Sequence, residues 1–150
     1  MNDARPADPI DIIEFHDATI ERVERRSATE VAIVFDHLYV CIRSKSDHAG
    51  WSYRAELVLS GVSRFEQLGD VPDPSKRSET EMHYVPDGEV RDANGEEIDP
   101  IVLLDGAPAA TFAMSYCTSE LVELSADVTY ARLTLRAAIE RIEDCYVARG

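Results

Sequence analysis

The sequence contains no apolar run approaching the roughly 18 residues that a membrane helix requires. It opens Met1-Asn2-Asp3-Ala4-Arg5-Pro6, without the basic start and apolar stretch of a secretory signal. These absences set the expectation of a cytoplasmic protein with no membrane partner. Cysteine is scarce: Cys41, Cys117 and Cys145 are three in number, widely spaced, with no Cys-x-x-Cys pair. An odd count without a framework suits reduced thiols, not a disulfide scaffold. Cys41, in the apolar run 38–42, and Cys145 read as small buried hydrophobes. Cys117 follows Tyr116 at an expected turn and is the most accessible of the three.

Glycine is also sparse, seven residues without a cluster. The chain has no G-x-x-x-x-G-K-[ST] loop, no G-x-G-x-x-G after a strand, no G-x-S-x-G elbow and no H-E-x-x-H. Lysine is confined to Lys45 and Lys76, which leaves few candidates for Schiff-base chemistry. No cofactor is implied, and the sequence leans away from an enzyme.

Positive charge is the last shortage. Fifteen Lys and Arg stand against 29 Asp and Glu, a net charge of −14. Such a field repels phosphate backbones, so nucleic acid is not an expected partner. Residues 66–105 carry 12 acids and 3 bases, a net −9 within the −14 total. That concentration has two readings. It is a solvated, repulsive surface that maintains solubility, or it is complementary to a basic protein partner.

What is present is mostly β patterning. Residues 1–9 read as a tail, and 18–25 as a strand. Over 30–43, Val31, Ile33 and Phe35 alternate on odd positions, then Leu38, Val40 and Ile42 on even ones. Parity changes only at an insertion or a turn, so Asp36-His37 marks either a β-bulge in one long strand or a tight turn between two. Tyr53, Ala55, Leu57 and Leu59 give a half-buried strand, and 62–68 an amphipathic connection. Residues 69–100 hold Pro72, Pro74, Pro86 and Pro100 and two turn signals, Pro86-Asp87-Gly88 and Ala93-Asn94-Gly95. They read as an acidic, polar excursion with small exposed hairpins. Phe112, Met114 and Tyr116 alternate again, and 121–125 follows as the next strand. Residues 128–135 read as strand or helix, and 136–147 as a C-terminal helix: Ile139, Ile142 and Tyr146 share a face, with Arg136 and Glu140 as an i,i+4 pair. The expected fold is a single α+β domain over 1–150, a curved, mainly antiparallel sheet of about six to eight strands with one C-terminal helix. An all-β sandwich is the alternative.

Three sets of residues carry candidate chemistry. For a basic protein partner, the candidates are Asp70, Asp73, Glu79, Glu81, Asp87, Glu89, Asp92, Glu96 and Glu97. For a metal or acid–base site, they are His16, Asp17, Asp36 and His37, with His48 or His83 as a further nitrogen. Adjacent strand residues point to opposite faces, so each His-Asp pair offers one member to a given site. The bland reading is that Asp17 caps local backbone and that Asp36-His37 serves a bulge or turn. Trp51, Tyr53 and Tyr39 either line a small-molecule pocket or close the end of the sheet.

The stretch Phe15-His16-Asp17-Ala18-Thr19-Ile20, an aromatic followed by His-Asp-Ala and an alternating strand, carries a resemblance. It is similar to the start of several uncharacterised bacterial families of small acidic β-rich proteins, some assigned as immunity proteins of polymorphic toxin systems. The similarity spans about residues 15–60, with a looser echo in 120–135. It implies a non-enzymatic protein that binds and blocks a cognate toxin. His16 and Asp17 match the motif and are expected to serve the fold. Residues 69–100 depart from it. The leading expectation is therefore a protein-binding module. A small metal-dependent enzyme or small-molecule binder is the second, and a housekeeping homodimer formed through a sheet face the third.

Overall fold

Period-2 alternation governs almost every apolar stretch of the chain, and the backbone follows it. The computed structural model describes residues 4–7, 9–42, 50–69, 84–117 and 121–142. Within them run β1 (Ile10–Arg25), β2 (Glu30–Ile42), β3 (Gly50–Ser60), β4 (Arg64–Leu68), β5 (Tyr84–Arg91), a single helical turn α1 (Pro100–Leu103), β6 (Ala107–Pro108), β7 (Thr111–Cys117), β8 (Leu121–Asp127) and β9 (Tyr130–Ile142). Among the described residues these nine strands form one open antiparallel sheet in the order β4-β8-β7-β5-β1-β2-β3-β9-β6. The fold is all-β. Among the described residues no helix is long and apolar enough to cross a membrane.

The connections dictate that this sheet cannot lie flat. β8 and β9 stand second and eighth in the order, about 29 Å apart in a flat sheet at ~4.8 Å per strand. Only Val128 and Thr129 join them, a reach of about 11 Å. The link from β3 to β4 meets the same constraint with Gly61, Val62 and Ser63. The sheet therefore folds over, bringing β4-β8-β7-β5 against β1-β2-β3-β9. Backbone bonds lock the two crossings together: Ser63 N–H donates to Asp127 O at 3.0 Å and Thr129 N–H to Ser60 O at 2.9 Å. Between the halves lies one apolar core that includes Phe35, Leu57, Phe112, Tyr116, Leu124 and Leu133.

The central strand β2 is buried on both faces from Val31 to Phe35. Its inner face meets the core. Its outer face, Ala32 and Val34, lies between neighbours that carry charge: Glu24 pairs with Ala32, and Val34 with both Arg22 and Glu56. There an ion-pair chain runs from Arg54 to Glu21 (2.8 Å), through Arg22 to Glu24, on to Arg26 (3.1 Å), and then to Glu56 (2.7 Å) and Arg136 (2.5 Å). Arginine stems suit such a position because their methylenes cover apolar surface while the guanidinium stays hydrated.

The choice left open at Asp36-His37 resolves as a bulge. Phe35 pairs with Ala55 and Leu38 with Tyr53, three steps on β2 against two on β3, so one long strand keeps Phe35, Leu38 and Val40 in the core. The expected C-terminal helix is corrected. Residues 136–142 continue β9 against β3, while 143–147 lie outside the described residues. Two insertions explain the misreading. Ser52 and Tyr53 face Glu140 and Ala138, and Arg54 and Ala55 face Ala137 and Leu135, so Ile139 and Arg136 are extra. Ile139, one of the apolar positions that suggested a helix face, is thus itself an inserted residue, and its step of three to Ile142 is not the period of an undisturbed strand.

The acidic excursion is corrected in part. Residues 70–83 lie outside the described residues, but Tyr84–Arg91 is an interior strand between β7 and β1. Val85 and Val90 are fully buried. Pro86-Asp87-Gly88 is a register shift inside β5, not a turn. A Cβ at Gly88 would lie 2.6 Å from Met114 Cε and 3.3 Å from Phe15 Cβ, so the glycine answers to packing. The second signal is a turn: Gly95 N–H donates to Asp92 O, and Arg91 bridges to Glu97. At the N-terminal tail, Ala4 N–H donates to Leu135 O and Arg5 to Leu104 O.

Two stability predictions follow from the corner and the ion-pair chain. Gly61 has φ +63°, and a Cβ there would sit 1.9 Å from Thr129 Oγ1. Gly61→Ala should cost about 2–4 kcal/mol in denaturant unfolding, from left-handed strain plus overpacking. Adding Thr129→Ala should return only the packing part. At Glu56, burial raises the carboxyl pKa, but hydrogen bonds from Arg26 and Arg136 and their charges outweigh it, leaving it below its ordinary 4.5. A lowered folded value contributes stability that is present above the unfolded value and lost as pH falls through the folded one. Glu56→Gln should therefore cost about 1–2 kcal/mol at neutral pH. The gap to the parent should close in unfolding curves taken at progressively lower pH below 4.5.

Candidate functional site

The motif Phe15-His16-Asp17-Ala18 forms the deepest irregularity of the sheet. Pairing with β2 passes from Glu14 opposite Tyr39 to Thr19 opposite His37, five steps on β1 against two on β2. The surplus is taken up by a bulge in which Asp17 has φ 66°, the left-handed region. Phe15 and Ala18 anchor its two sides. Phe15 is buried and stacks on Phe35 with ring centroids 5.8 Å apart, and Ala18 is fully enclosed. Thr19 is buried too, and its hydroxyl donates to Asp36 Oδ1.

The bulge also ends the backbone ladder between β1 and β5, while Phe15 stays close against Gly88. Among the described residues that ladder is Thr19 opposite Tyr84. Beyond it, in the direction of Ile10, His16 Nδ1 lies 2.8 Å from Pro86 O, and Nε2 lies 3.4 Å from Asp17 Oδ2. The bond to the Pro86 carbonyl, then the charge of Asp17, holds the imidazole above its ordinary 6.5 against slight desolvation.

His16, Asp17, Asp36 and His37 do not assemble into one ligand set. His16 serves Pro86 and Asp17, Asp36 accepts from Thr19, and His37 Nδ1 meets Ser52 Oγ at 2.7 Å. Among the described residues no three His, Cys, Asp or Glu side chains are placed to hold a metal ion. His48 and His83 lie outside the described residues. Tyr53 is a core residue and Trp51 packs half-buried against the core. Burial raises the Tyr39 hydroxyl, with Asp17, Glu140 and Asp36 adding to the effect.

The acids of the candidate binding surface divide. Asp70, Asp73, Glu79 and Glu81 lie outside the described residues. Asp92 belongs to its turn, Oδ1 accepting from the N–H groups of Asn94 and Glu96. Glu96 is exposed at that turn. Glu89 holds Arg91 through both carboxylate oxygens at 2.9 and 2.8 Å. Asp87 and Glu97 make no side-chain hydrogen bond or ion pair among the described residues.

These acids are joined by others that the local sequence did not single out. On the outer face, strand register sets Glu89, Ala113, Ser125 and Glu66 in one row and Asp87, Ser115, Glu123 and Leu68 in the next. Small side chains at the centre leave a hollow of about 290 Å³ lined by Asp87, Glu89 and Glu123. On the other side of β5, depressions of about 250 and 350 Å³ lie against β1 and residues 97–100. Their carboxylates are Asp11, Glu14, Asp87, Glu89, Glu97 and Asp99, with Asp99 also capping α1 through the Ile101 N–H. Glu123 was findable from the parity of its strand. Asp11 and Glu14 were not, because only the β1–β5 adjacency brings them near.

Asp17 provides a direct test of the bulge. Asp17→Gly should leave stability nearly unchanged, since glycine accepts positive φ freely. Asp17→Val should cost about 1–2 kcal/mol in chemical denaturation.

No protein-family model, curated protein sequence or solved structure matches this chain.

Proposed function

We propose that this chain is a cytoplasmic protein-binding module that engages a basic protein partner, in the manner of the immunity proteins its opening motif resembles. The observation that supports this reading is the gathering of carboxylates on both sides of β5, where Asp87 and Glu89 line the outer hollow and the β1 depressions alike. Among the described residues no arginine or lysine lines either, although Arg91 holds Glu89 from beside the hollow. A cleft of one sign raises the encounter rate with an oppositely charged surface and disfavours like-charged competitors.

The partner's expected chemistry is a surface rich in Lys or Arg that meets Asp87, Glu97 and Glu123. Retention of native-lysate proteins should be compared between the parent and the triple variant Asp87→Asn, Glu97→Gln, Glu123→Gln across a salt series. One basic protein should bind the parent at low salt, weaken as salt rises, and lose about 10- to 100-fold in affinity to the variant, at roughly 0.5–1 kcal/mol per exposed charge. Equal retention by both proteins, or retention indifferent to salt, would overturn the electrostatic reading.

A further inference from the structure

Among the described residues six large apolar side chains are exposed: Leu68, Tyr84, Val102, Leu121, Tyr130 and Ile139. Scattered singly, such residues carry no message, but grouped on one face they mark a contact surface. Strand register groups three of them. Tyr84, Cys117 and Leu121 form one row across β5, β7 and β8, and Asp87, Ser115, Glu123 and Leu68 form the next. Their chain neighbours Val85, Tyr116 and Val122 are buried, so the first row points outward, as the second does. Same-face rows stand about 7 Å apart, which sets Leu121 beside Glu123 and brings Leu68 to the same corner. Leu68 is 64% exposed, Leu121 53% and Tyr84 45%. Leu68 also lines the hollow with Asp87, Glu89 and Glu123. The acid hollow therefore opens onto an apolar shelf.

The neighbouring charge decides what can cover that shelf. A second copy of the chain would bring its own net charge of −14 toward Asp87 and Glu123. An apolar anchor without cations would leave the two carboxylates facing a dry surface, which costs their hydration. An anchor carried between Lys or Arg side chains meets both halves. We propose that the basic partner docks an apolar side chain on Leu68, Tyr84 and Leu121 and places the flanking cations in the hollow. This rests on the reading of the chain as a module for a basic protein, and it adds the part of the contact that charge does not supply. The acids set the encounter rate and its salt dependence, while the shelf sets how long the complex lasts.

The test uses two probe peptides, acetyl-Lys-Leu-Lys-amide and acetyl-Lys-Gly-Lys-amide, titrated into the full chain and followed by NMR across a salt series. Both should bind at low salt and weaken as salt rises. The leucine peptide should bind about three- to tenfold more tightly, the factor that burying part of one leucine supplies. It should move the side-chain signals of Tyr84 and Leu121, which the glycine peptide leaves in place. Leu121→Ser and Leu68→Ser, both at exposed positions, should each reduce the leucine advantage and leave the affinity for the glycine peptide unchanged. Val102→Ser, on α1, should alter neither. Equal affinity for the two peptides, or an advantage untouched by both serine variants, would overturn the shelf and leave the electrostatic reading standing. Binding by neither peptide at low salt would overturn both.

Discussion

Two short crossings at one corner fix everything else in this fold. Val128-Thr129 and Gly61-Val62-Ser63 each join strands that stand six places apart in the sheet. Neither is long enough to allow a flat arrangement. Closure at the corner places Phe112, Tyr116 and Leu124 opposite Phe35, Leu57 and Leu133, and so creates the core. It also explains the unusual demand on Gly61, whose backbone turns beside Thr129 with no room for a methyl group.

Curvature then has to be accommodated strand by strand, and bulges do this. β2 takes one at Asp36-His37, β9 takes two at Arg136 and Ile139, and β1 takes the largest at the Phe15–Ala18 motif. An inserted residue bends the strand and increases its twist. The long strands β1, β2, β3 and β9 thereby wrap around a shorter set. The bulge on β1 has a second consequence, because beyond it β1 no longer pairs with β5. A structural device thus leaves a seam in the sheet, and the seam is where Asp11, Glu14, Asp87, Glu97 and Asp99 meet.

The sequence was most legible where alternation was undisturbed. Tyr53, Ala55, Leu57 and Leu59 are all buried, as are Phe112, Met114 and Tyr116. A single change of parity, at Asp36-His37, still marked the place, leaving a bulge or a turn for the structure to decide. Two insertions close together in β9 did not, since spacing by three is what a helix face also produces. β5 was hidden for a different reason. Proline, aspartate and glycine in succession signal a turn, but here Gly88 makes room for Phe15 and Met114, which are remote in sequence. The candidate surface was legible as a charge excess and illegible as a shape, because its walls come from β1, β5, β8 and the 97–99 segment.

The charge distribution is itself a product of this topology. Arg22, Arg26, Arg54 and Arg136 are drawn to the outer face of β1, β3 and β9, where they pair with Glu21, Glu24 and Glu56. Arg64 is engaged by Asp127 and Glu66, and Arg91 by Glu89. Each of these arginines is occupied by a nearby acid on its own side of the sheet. Among the described residues no arginine lines the hollows of Asp87, Glu97 and Glu123, although Arg91 stands near enough to Glu97 for their charges to interact. An evenly mixed surface of the same net charge would repel generally and select weakly. Arg64 and Arg91 lie in the same layer as the hollows, but Asp87 and Glu123 make no ion pair among the described residues, and an unpaired excess gathered at one place has a directional field that an evenly mixed surface lacks.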